Sequence, residues 1–417
     1  MKNESIIVIG GGAAGLMAAK DLVNKYDVII LEASSRLGGR IWSKPSTHSS
    51  KIIEAGAEFI HGHQKITLEL LKEAGIKYAP VEGKMYHKEK GKLEEQTEMI
   101  EGWDELLKQM KKVKTDMTMH DFLQEYFGND EQADLRRHAT YYAEGFDLAD
   151  VKKASVQSLY KEWSNEEYEN FRIQPGYSSL IDFLKKECER KGCDILANKL
   201  VKQIDWEKNT VTVYTNDGQK YFGNKVIVTV PLAVLKRSGD KRSINFTPPL
   251  DEYIQAANEI GMGAVIKVVL QFHRHFWKED IGFIFSEEIF PTWWTQLPDN
   301  VPVLSGWAGS IKAEQLSGQS DEQILEKAIL SLSSIFEISH DDIKNNLQEA
   351  NVFNWQGDEL GLYGYSYNTL NTFAARQLLN MPVEQTIFFT GEGLYAGNSP
   401  GTVEAALASG KEVAVRV

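Results

Sequence analysis

Gly10-Gly11-Gly12-Ala13-Ala14-Gly15 follows the apolar run 6–9 and leads into an Ala- and Leu-rich helical pattern over 13–24. In such a G-x-G-x-x-G turn the first glycine permits the tight turn. Gly12 lets the backbone approach a pyrophosphate, Ala14 lies in the turn, and Gly15 lets the helix pack closely on the strand. The helix N-terminus then presents free N–H groups and a positive dipole end to phosphates. Glu32, followed by Ala33, stands 20 residues after Gly12 (32 − 12), at the end of a second apolar run, Asp27–Leu31. A carboxylate there accepts hydrogen bonds from both ribose hydroxyls and repels a 2′-phosphate, which disfavours NADP. NAD and FAD share the ADP half, so this signature does not choose between them. Just beyond it, Gly38-Gly39 would let another loop approach the phosphates, and Arg36 or Arg40 could neutralise them.

A second chemical signal is Lys267, within Ala264-Val265-Ile266-Lys267-Val268-Val269-Leu270-Gln271-Phe272. Strand alternation puts Val265, Lys267, Val269 and Gln271 on one face. A lysine in so apolar a run is costly unless it is satisfied or snorkels. The two cysteines, Cys188 and Cys193, lie five apart without a nearby His cluster. They make a poor metal site, so no metal is expected, and their low number suits a reducing compartment.

These residues need a scaffold, and 417 residues are enough for two or three domains. Continuous apolar runs at 6–9 and 27–31 predict parallel strands buried on both faces. Further strands are expected at 201–206, 210–214, 225–230, 264–272 and 386–390, with Asp217-Gly218 as a turn between two of them. From 65 to 164 apolar and charged residues alternate at helical spacing, notably over 67–74, 103–112 and 121–127, which reads as a helical insertion. An acidic helix over 321–336 and a closing helix over 403–413 follow. The expected division is a discontinuous cofactor-binding domain (1–64, 165–246, 385–417) and a substrate-binding domain with the helical insertion (65–164, 247–384). A net charge of −13 lacks the basic footprint of a nucleic-acid binder. The start shows no signal peptide and no apolar stretch is long enough to span a membrane, so a cytoplasmic protein without a membrane anchor is expected.

The stretch Leu31-Glu32-Ala33-Ser34-Ser35-Arg36-Leu37-Gly38-Gly39-Arg40 resembles the second glycine motif of the flavin-containing amine oxidase superfamily, in a bacterial-type, monoamine/polyamine oxidase-like form. The likeness runs on through Ile53-Glu54-Ala55-Gly56-Ala57-Glu58-Phe59-Ile60-His61-Gly62, similar to the segment beside the flavin ring in polyamine-oxidase-like members. It continues in Ala143-Glu144-Gly145-Phe146, in Gln174-Pro175-Gly176-Tyr177-Ser178-Ser179-Leu180 and in Lys225-Val226-Ile227-Val228-Thr229-Val230-Pro231. Phe389-Thr390-Gly391-Glu392 and Gly401-Thr402-Val403-Glu404-Ala405-Ala406 resemble the closing motif, where a glutamate meets the ribityl or phosphate region and the last helix points its N-terminus at the flavin.

This resemblance implies an α/β and α+β architecture: a Rossmann-like FAD-binding domain (GR2-type) with an inserted mixed β-sheet plus helical substrate domain. It places Val201 at the adenosine half and Gly56, Ala57, Glu58, Phe59 and Trp355 beside the flavin. Lys267 matches the family lysine that reaches the flavin N5 through a water. Tyr365, at the end of Trp355-Gln356-Gly357-Asp358-Glu359-Leu360-Gly361-Leu362-Tyr363-Gly364-Tyr365, matches one wall of an aromatic cage for the amine. Gly364 falls where some monoamine oxidases carry the flavin-linked cysteine, so the FAD is expected to be non-covalent. The opposite cage wall falls on Thr402, a departure from the monoamine-oxidase pattern; Trp293, Trp294, Trp307 and Tyr395 are candidates to replace it. His61 matches a position near the flavin, where an imidazole could hold or deprotonate a substrate nitrogen.

The function implied is oxidation of a primary or secondary amine to an imine, with hydride passing to FAD and O₂ returning as H₂O₂. The partners are then a small-molecule amine and O₂, in a monomer or homodimer. An L-amino-acid oxidase, for which Arg172 is unassigned, a protoporphyrinogen-oxidase- or desaturase-like enzyme, and a non-catalytic FAD-binding protein are the alternatives.

Overall fold

The computed structural model describes residues 4–47, 52–96, 102–165, 169–237, 239 and 242–417. Residues 1–3, where the expected cofactor domain opens, lie outside them. The first apolar run forms the strand Ser5–Ile9, the central member of a five-stranded parallel sheet. In spatial order the strands are Asp194–Leu196, Asp27–Leu31, Ser5–Ile9, Lys225–Val228 and Ile387–Phe389. Beginning, middle and end of the chain thus meet in one sheet. Ile6 and Val8 face one apolar core, shared with helix Ala13–Leu22 and the closing helix Val403–Arg416, while Ile7 and Ile9 face another. Burial on both faces is why the run shows no polar alternation.

Helix Ala13–Leu22 sits on this sheet at backbone distance. A Cβ at Gly15 would stand 2.0 Å from the Gly10 carbonyl oxygen, so no other residue fits without displacing the helix.

A seven-stranded mixed sheet forms the second layer system. Its order is Leu347–Asn354, Val265–Phe272, Val303–Gly309, Thr292–Trp294, Ile281–Phe285, Lys84–Glu89 and Lys92–Glu95. Pairing is antiparallel except between Ile281–Phe285 and Lys84–Glu89. The strand Val265–Phe272 alternates as its sequence predicts. Ile266, Val268, Leu270 and Phe272 pack with Ile324, Ala328 and Leu332 of helix Asp321–Phe336, whereas Val265 and Val269 face Phe353 and Trp355. Lys267 belongs to the latter face. Helix Asp321–Phe336 starts on a capping box made by Ser320 and Gln323.

The region 65–164 is less uniformly helical than its periodicity predicts. Among the described residues five α-helices lie there, Lys65–Ala74, Trp103–Met110, Met119–Tyr126, Ala133–Gly145 and Val156–Trp163, but so do the strands Tyr78–Pro80, Lys84–Glu89 and Lys92–Glu95. Tyr78–Pro80 is only three residues long, and the other two strands are rich in Lys and Glu, so no clean alternation marks them. Helix Lys65–Ala74 packs Leu70 and Leu71 into the core beside the parallel sheet. Its N-terminus is held by Glu404 of the closing helix, which accepts from the Ile66 N–H (2.8 Å), the Thr67 N–H (2.8 Å) and the Thr67 hydroxyl (2.7 Å). The Asp217-Gly218 turn leads not into 225–230 directly but into a short added strand, Lys220–Gly223. No helix among the described residues is long and apolar enough to cross a membrane.

Gly15→Ala should lower the unfolding free energy by about 1–3 kcal/mol through overpacking. Gly145→Ala, where a Cβ would meet nothing within 4 Å, should leave it unchanged or raised. Urea denaturation checks both, and equal midpoints for the two variants would contradict the backbone contact.

Candidate active site

A cavity of about 1090 Å³ opens at the carboxyl ends of the parallel strands, where Gly10, Glu32, Thr229 and Thr390 border it. Open α/β sheets bind ligands at this edge. Gly12, Ala14 and Ala33 border it near the first turn, with Gly39, Arg40 and Val201. Gly391, Thr402 and Val403 close it from the C-terminal segment. Gly15, grouped by the sequence with the cofactor contacts, does not reach the cavity and only packs the helix on its strand.

The nucleotide-facing end is built from backbone donors and one carboxylate. Gly38 N–H donates to the Gly11 carbonyl (2.9 Å), docking the second glycine loop on the first. Glu32 accepts from the Gly11 N–H (2.6 Å) and the Ser34 N–H (2.8 Å), which fixes its orientation. Burial pushes its carboxyl above the ordinary value, and those N–H groups with the Arg36 charge pull it back. A dinucleotide fits these residues. No side chain caps the helix start at Gly12, and a Cβ there would meet no protein atom within 4 Å, so the approach is open. The arginines differ from expectation. Arg36 directs its guanidinium at the carbonyls of Leu37, Ile41 and Gly39 and stacks 4.6 Å over Trp42, so it holds its own loop. Arg40 pairs with Glu392 at 3.0 Å and donates to the Gly364 carbonyl.

Glu392 is held from two sides, by Arg40 and by the Ser366 N–H and hydroxyl. The segment 53–58 is fixed by Trp355, whose indole N–H donates to the Ala55 carbonyl (2.9 Å). Gly56 meets Arg40 backbone to backbone, since a Cβ there would lie 1.9 Å from the Arg40 carbonyl oxygen. Ala57 N–H donates to that same oxygen (3.1 Å).

At the other end stand Lys267, Trp294, Trp307, Tyr365, Phe59 and His61. Lys267 is fully buried; its ammonium donates to Glu58 Oε2 (2.7 Å) and the Gly56 carbonyl (3.3 Å) and lies 5.2 Å from the Trp294 ring centre. Glu58 borders the cavity but is an ion-pair partner: Oε1 accepts from Arg172 (2.9 and 3.1 Å) and from the Trp294 indole N–H (3.0 Å). Burial alone would raise its carboxyl, but Lys267 and Arg172 hold it down at about 2. Phe59 lies under the Arg172 guanidinium at 5.0 Å.

Tyr365 and Trp307 stack at 6.4 Å with 24° between their planes, and Trp294 follows Trp307 at 6.3 Å. The Tyr365 hydroxyl donates to the Phe146 carbonyl and the Trp307 indole N–H to the Gly145 carbonyl (3.0 Å). Of the candidate second walls, Trp307 and Trp294 border the cavity. Trp293 is buried in the opposite core with its N–H on the Phe290 carbonyl, and neither it nor Tyr395 borders the cavity. Thr402 caps the closing helix, accepting from the Ala405 N–H (3.1 Å) and donating to the Ser399 carbonyl (2.7 Å). His61 Nδ1 lies 2.6 Å from Asn170 Oδ1; burial lowers its pKa although the Asn170 contact opposes the shift. The imidazole is therefore neutral near pH 7.

Sequence reasoning missed Thr229, whose hydroxyl donates to the carbonyls of Ile9 (2.9 Å) and Gly10 (3.2 Å), and did not assign Arg172 a partner. Thr229 directly follows a buried strand, a signal that was legible. Nothing in the sequence pairs Arg172 with Glu58, 114 residues away. No cysteine borders the cavity among the described residues; Cys188 and Cys193 are buried thiols in the core beside the parallel sheet.

Comparison with known proteins agrees with this arrangement. The family described as flavin containing amine oxidoreductase matches residues 13–417. Lysine-specific histone demethylase 2 of Homo sapiens is 27% identical over 457 residues, covering 100% of this chain but 53% of its own length. The chain thus spans about half of that relative. Polyamine oxidase 2 of Arabidopsis thaliana is 26% identical over 447 residues, covering 98% of this chain and 87% of its own. Among solved structures, cyclohexylamine oxidase from Brevibacterium oxydans IH-35A superposes with a TM-score of 0.82 at 18% identity, covering 99% of this chain and 98% of that one. Putrescine oxidase bound to putrescine gives 0.81 at 19%, with the same coverage. The fold is theirs. The chain belongs to the flavin-containing amine oxidoreductase family.

Proposed function

We propose that this enzyme oxidises a primary or secondary amine that carries no carboxylate beside the reacting carbon, with O₂ as final acceptor and H₂O₂ as product. One observation carries the reading: Lys267 and the Trp307–Tyr365 ring pair border the same cavity as the dinucleotide cradle. Glycine-loop backbone, Glu32, Val201, Glu392 and the start of the closing helix would hold the FAD, without a covalent bond. When bound, FAD supplies the acceptor for a hydride from the carbon next to the amine nitrogen. The chain's residues prepare the donor. The Trp307 and Tyr365 faces offer a flat slot for the amine and favourable contact with its nitrogen. With Nδ1–H donating to Asn170, His61 keeps Nε2 as an acceptor for the ammonium proton. The division into a cofactor domain (1–64, 165–246, 385–417) and a substrate domain (65–164, 247–384) belongs to the same reading, as does a reducing compartment, which suits two free buried thiols.

The arginine inventory argues against an amino-acid substrate. Arg172 donates to Glu58 and to the carbonyls of Leu297 (3.1 Å) and Thr295 (3.3 Å), and does not border the cavity. Arg36, Arg40 and Arg242 do border it, but the first two are held by the loop carbonyls and by Glu392, and Arg242 donates to the Glu359 carbonyl (3.5 Å).

A screen of H₂O₂ release with monoamines, polyamines and amino acids should respond to amines and not to amino acids; release only with amino acids would overturn the reading. Lys267→Met should slow reoxidation of the reduced flavin by about 10-fold or more, followed by stopped-flow absorbance. Glu32→Ala should weaken FAD binding to the apoprotein by about 10–100-fold, the worth of charge-assisted hydrogen bonds. Flavin fluorescence titration measures it, and an unchanged affinity would remove Glu32 from the nucleotide site.

A further inference from the structure

We propose that Glu58 is a positioning residue, shared between Lys267 and Arg172, that keeps the Lys267 side chain charged and aimed into the reacting end of the cavity. The inference rests on the preceding reading, in which Lys267 faces the flavin, and gives Glu58 a task other than contact with the cofactor.

The side chains of Lys267 and Glu58 are 1% and 4% exposed, so neither charge is solvated by water. A lone ammonium at that depth sheds its proton. Strand neighbours cannot help, because Lys267 sits opposite Trp307 on one side and Phe353 on the other. The remaining anion on the facing segment is Glu54, tied to the Ser43 hydroxyl (2.7 Å) and the Tyr177 N–H (2.7 Å). Burial pushes Glu54 up to about 7, which makes it a weak counter-charge. His61 on the next strand is neutral and Tyr365 holds its proton, burial raising its pKa. Glu58 is therefore the one strong anion facing Lys267 among the described residues.

The two oxygens of Glu58 divide the work. Oε2 takes the lysine; Oε1 takes the Arg172 guanidinium and the Trp294 indole. Arg172 is itself anchored on the Leu297 and Thr295 carbonyls, so the carboxylate cannot swing away. One anion and two cations leave the trio with a net positive charge. An ammonium has three donors; Glu58 and Gly56 take two of them, and the third is left for a group in the cavity.

Glu58→Gln keeps the shape and removes the counter-charge. The test uses holoenzyme reduced by light, without an amine, and reads the flavin midpoint potential and the rate of reoxidation by O₂ from about pH 6 to about pH 9. The parent should show no added break in either profile. Glu58→Gln should show one, with reoxidation falling about 10-fold across the range once the counter-charge is gone. Arg172→Gln should stay flat, because the Lys267–Glu58 pair remains. Lys267→Arg in the Glu58→Gln background should also be flat, since a guanidinium keeps its charge. If Glu58→Gln fails to hold flavin, Glu58→Asp is read in its place and should show a smaller break. Profiles of Glu58→Gln matching the parent, or slowed equally at every pH, would overturn the proposal; for Glu58→Asp, a profile with no break would do so. An empty amine screen would instead overturn the substrate reading and leave this result standing.

Discussion

Where helix Ala13–Leu22 leaves its strand, and where the segment 53–58 passes Arg40, peptide backbone meets peptide backbone with no side chain between. The cavity depends on that contact. At van der Waals distance the carbonyls and N–H groups of several loops converge on one space, and a pyrophosphate needs such fixed, uncharged donors more than mobile side chains. Everything nearby serves to hold the loops at this range. Arg36 ties its own loop, Thr229 ties the first turn to the next strand, and Trp355 ties the segment 53–58 to the second sheet. Arg36 looks like a phosphate ligand by position, yet its guanidinium holds the carbonyls of its own loop, while Arg40 places one nitrogen between the Gly364 carbonyl and Glu392.

The second sheet supplies a different environment at the far end. A protein with a net charge of −13 carries a buried trio of two cations and one anion beside its cavity. Overall charge concerns solubility and the approach of a cationic substrate. The local field at that end of the cavity is set by the nearest buried groups, because screening there is weak. The two signs therefore act at different distances, one in solvent and one across a few ångströms of protein.

What the sequence reveals depends on how far apart the interacting residues stand. The glycine turn and Glu32 belong to one strand–turn–helix unit, so spacing alone exposes them. The face of Lys267 follows from the period of two, and the packing of Val265 and Val269 away from Ile266 and Val268 bears it out. Contacts across the fold are another matter. Glu404 caps a helix 337 residues earlier, and Glu58 meets Lys267 209 residues later; neither leaves a local pattern. Four aromatic residues are equal candidates for the missing cage wall because bare sequence does not choose among them. Only the register of the strands puts Trp307 toward the cavity and Trp293 into the opposite core.

That register also explains how a threonine can occupy the position of an aromatic wall. Thr402 caps the closing helix through its hydroxyl, a task no aromatic ring can perform. Gly401 leaves room beside it for the Tyr365 ring, which a Cβ there would approach to 2.9 Å. Tyr365 thus leans on the helix start and turns its stacking partner toward the sheet. Trp307 is anchored at both ends, through its strand pairing with Lys267 and through its indole N–H on the Gly145 carbonyl. A ring held by a strand and a neighbouring helix is more rigid than one on a loop. Trp307 therefore stands in the strand pair that carries Lys267. The Trp307 ring and the buried Lys267 charge thus stand on adjacent, paired strands, and a shift in either moves both.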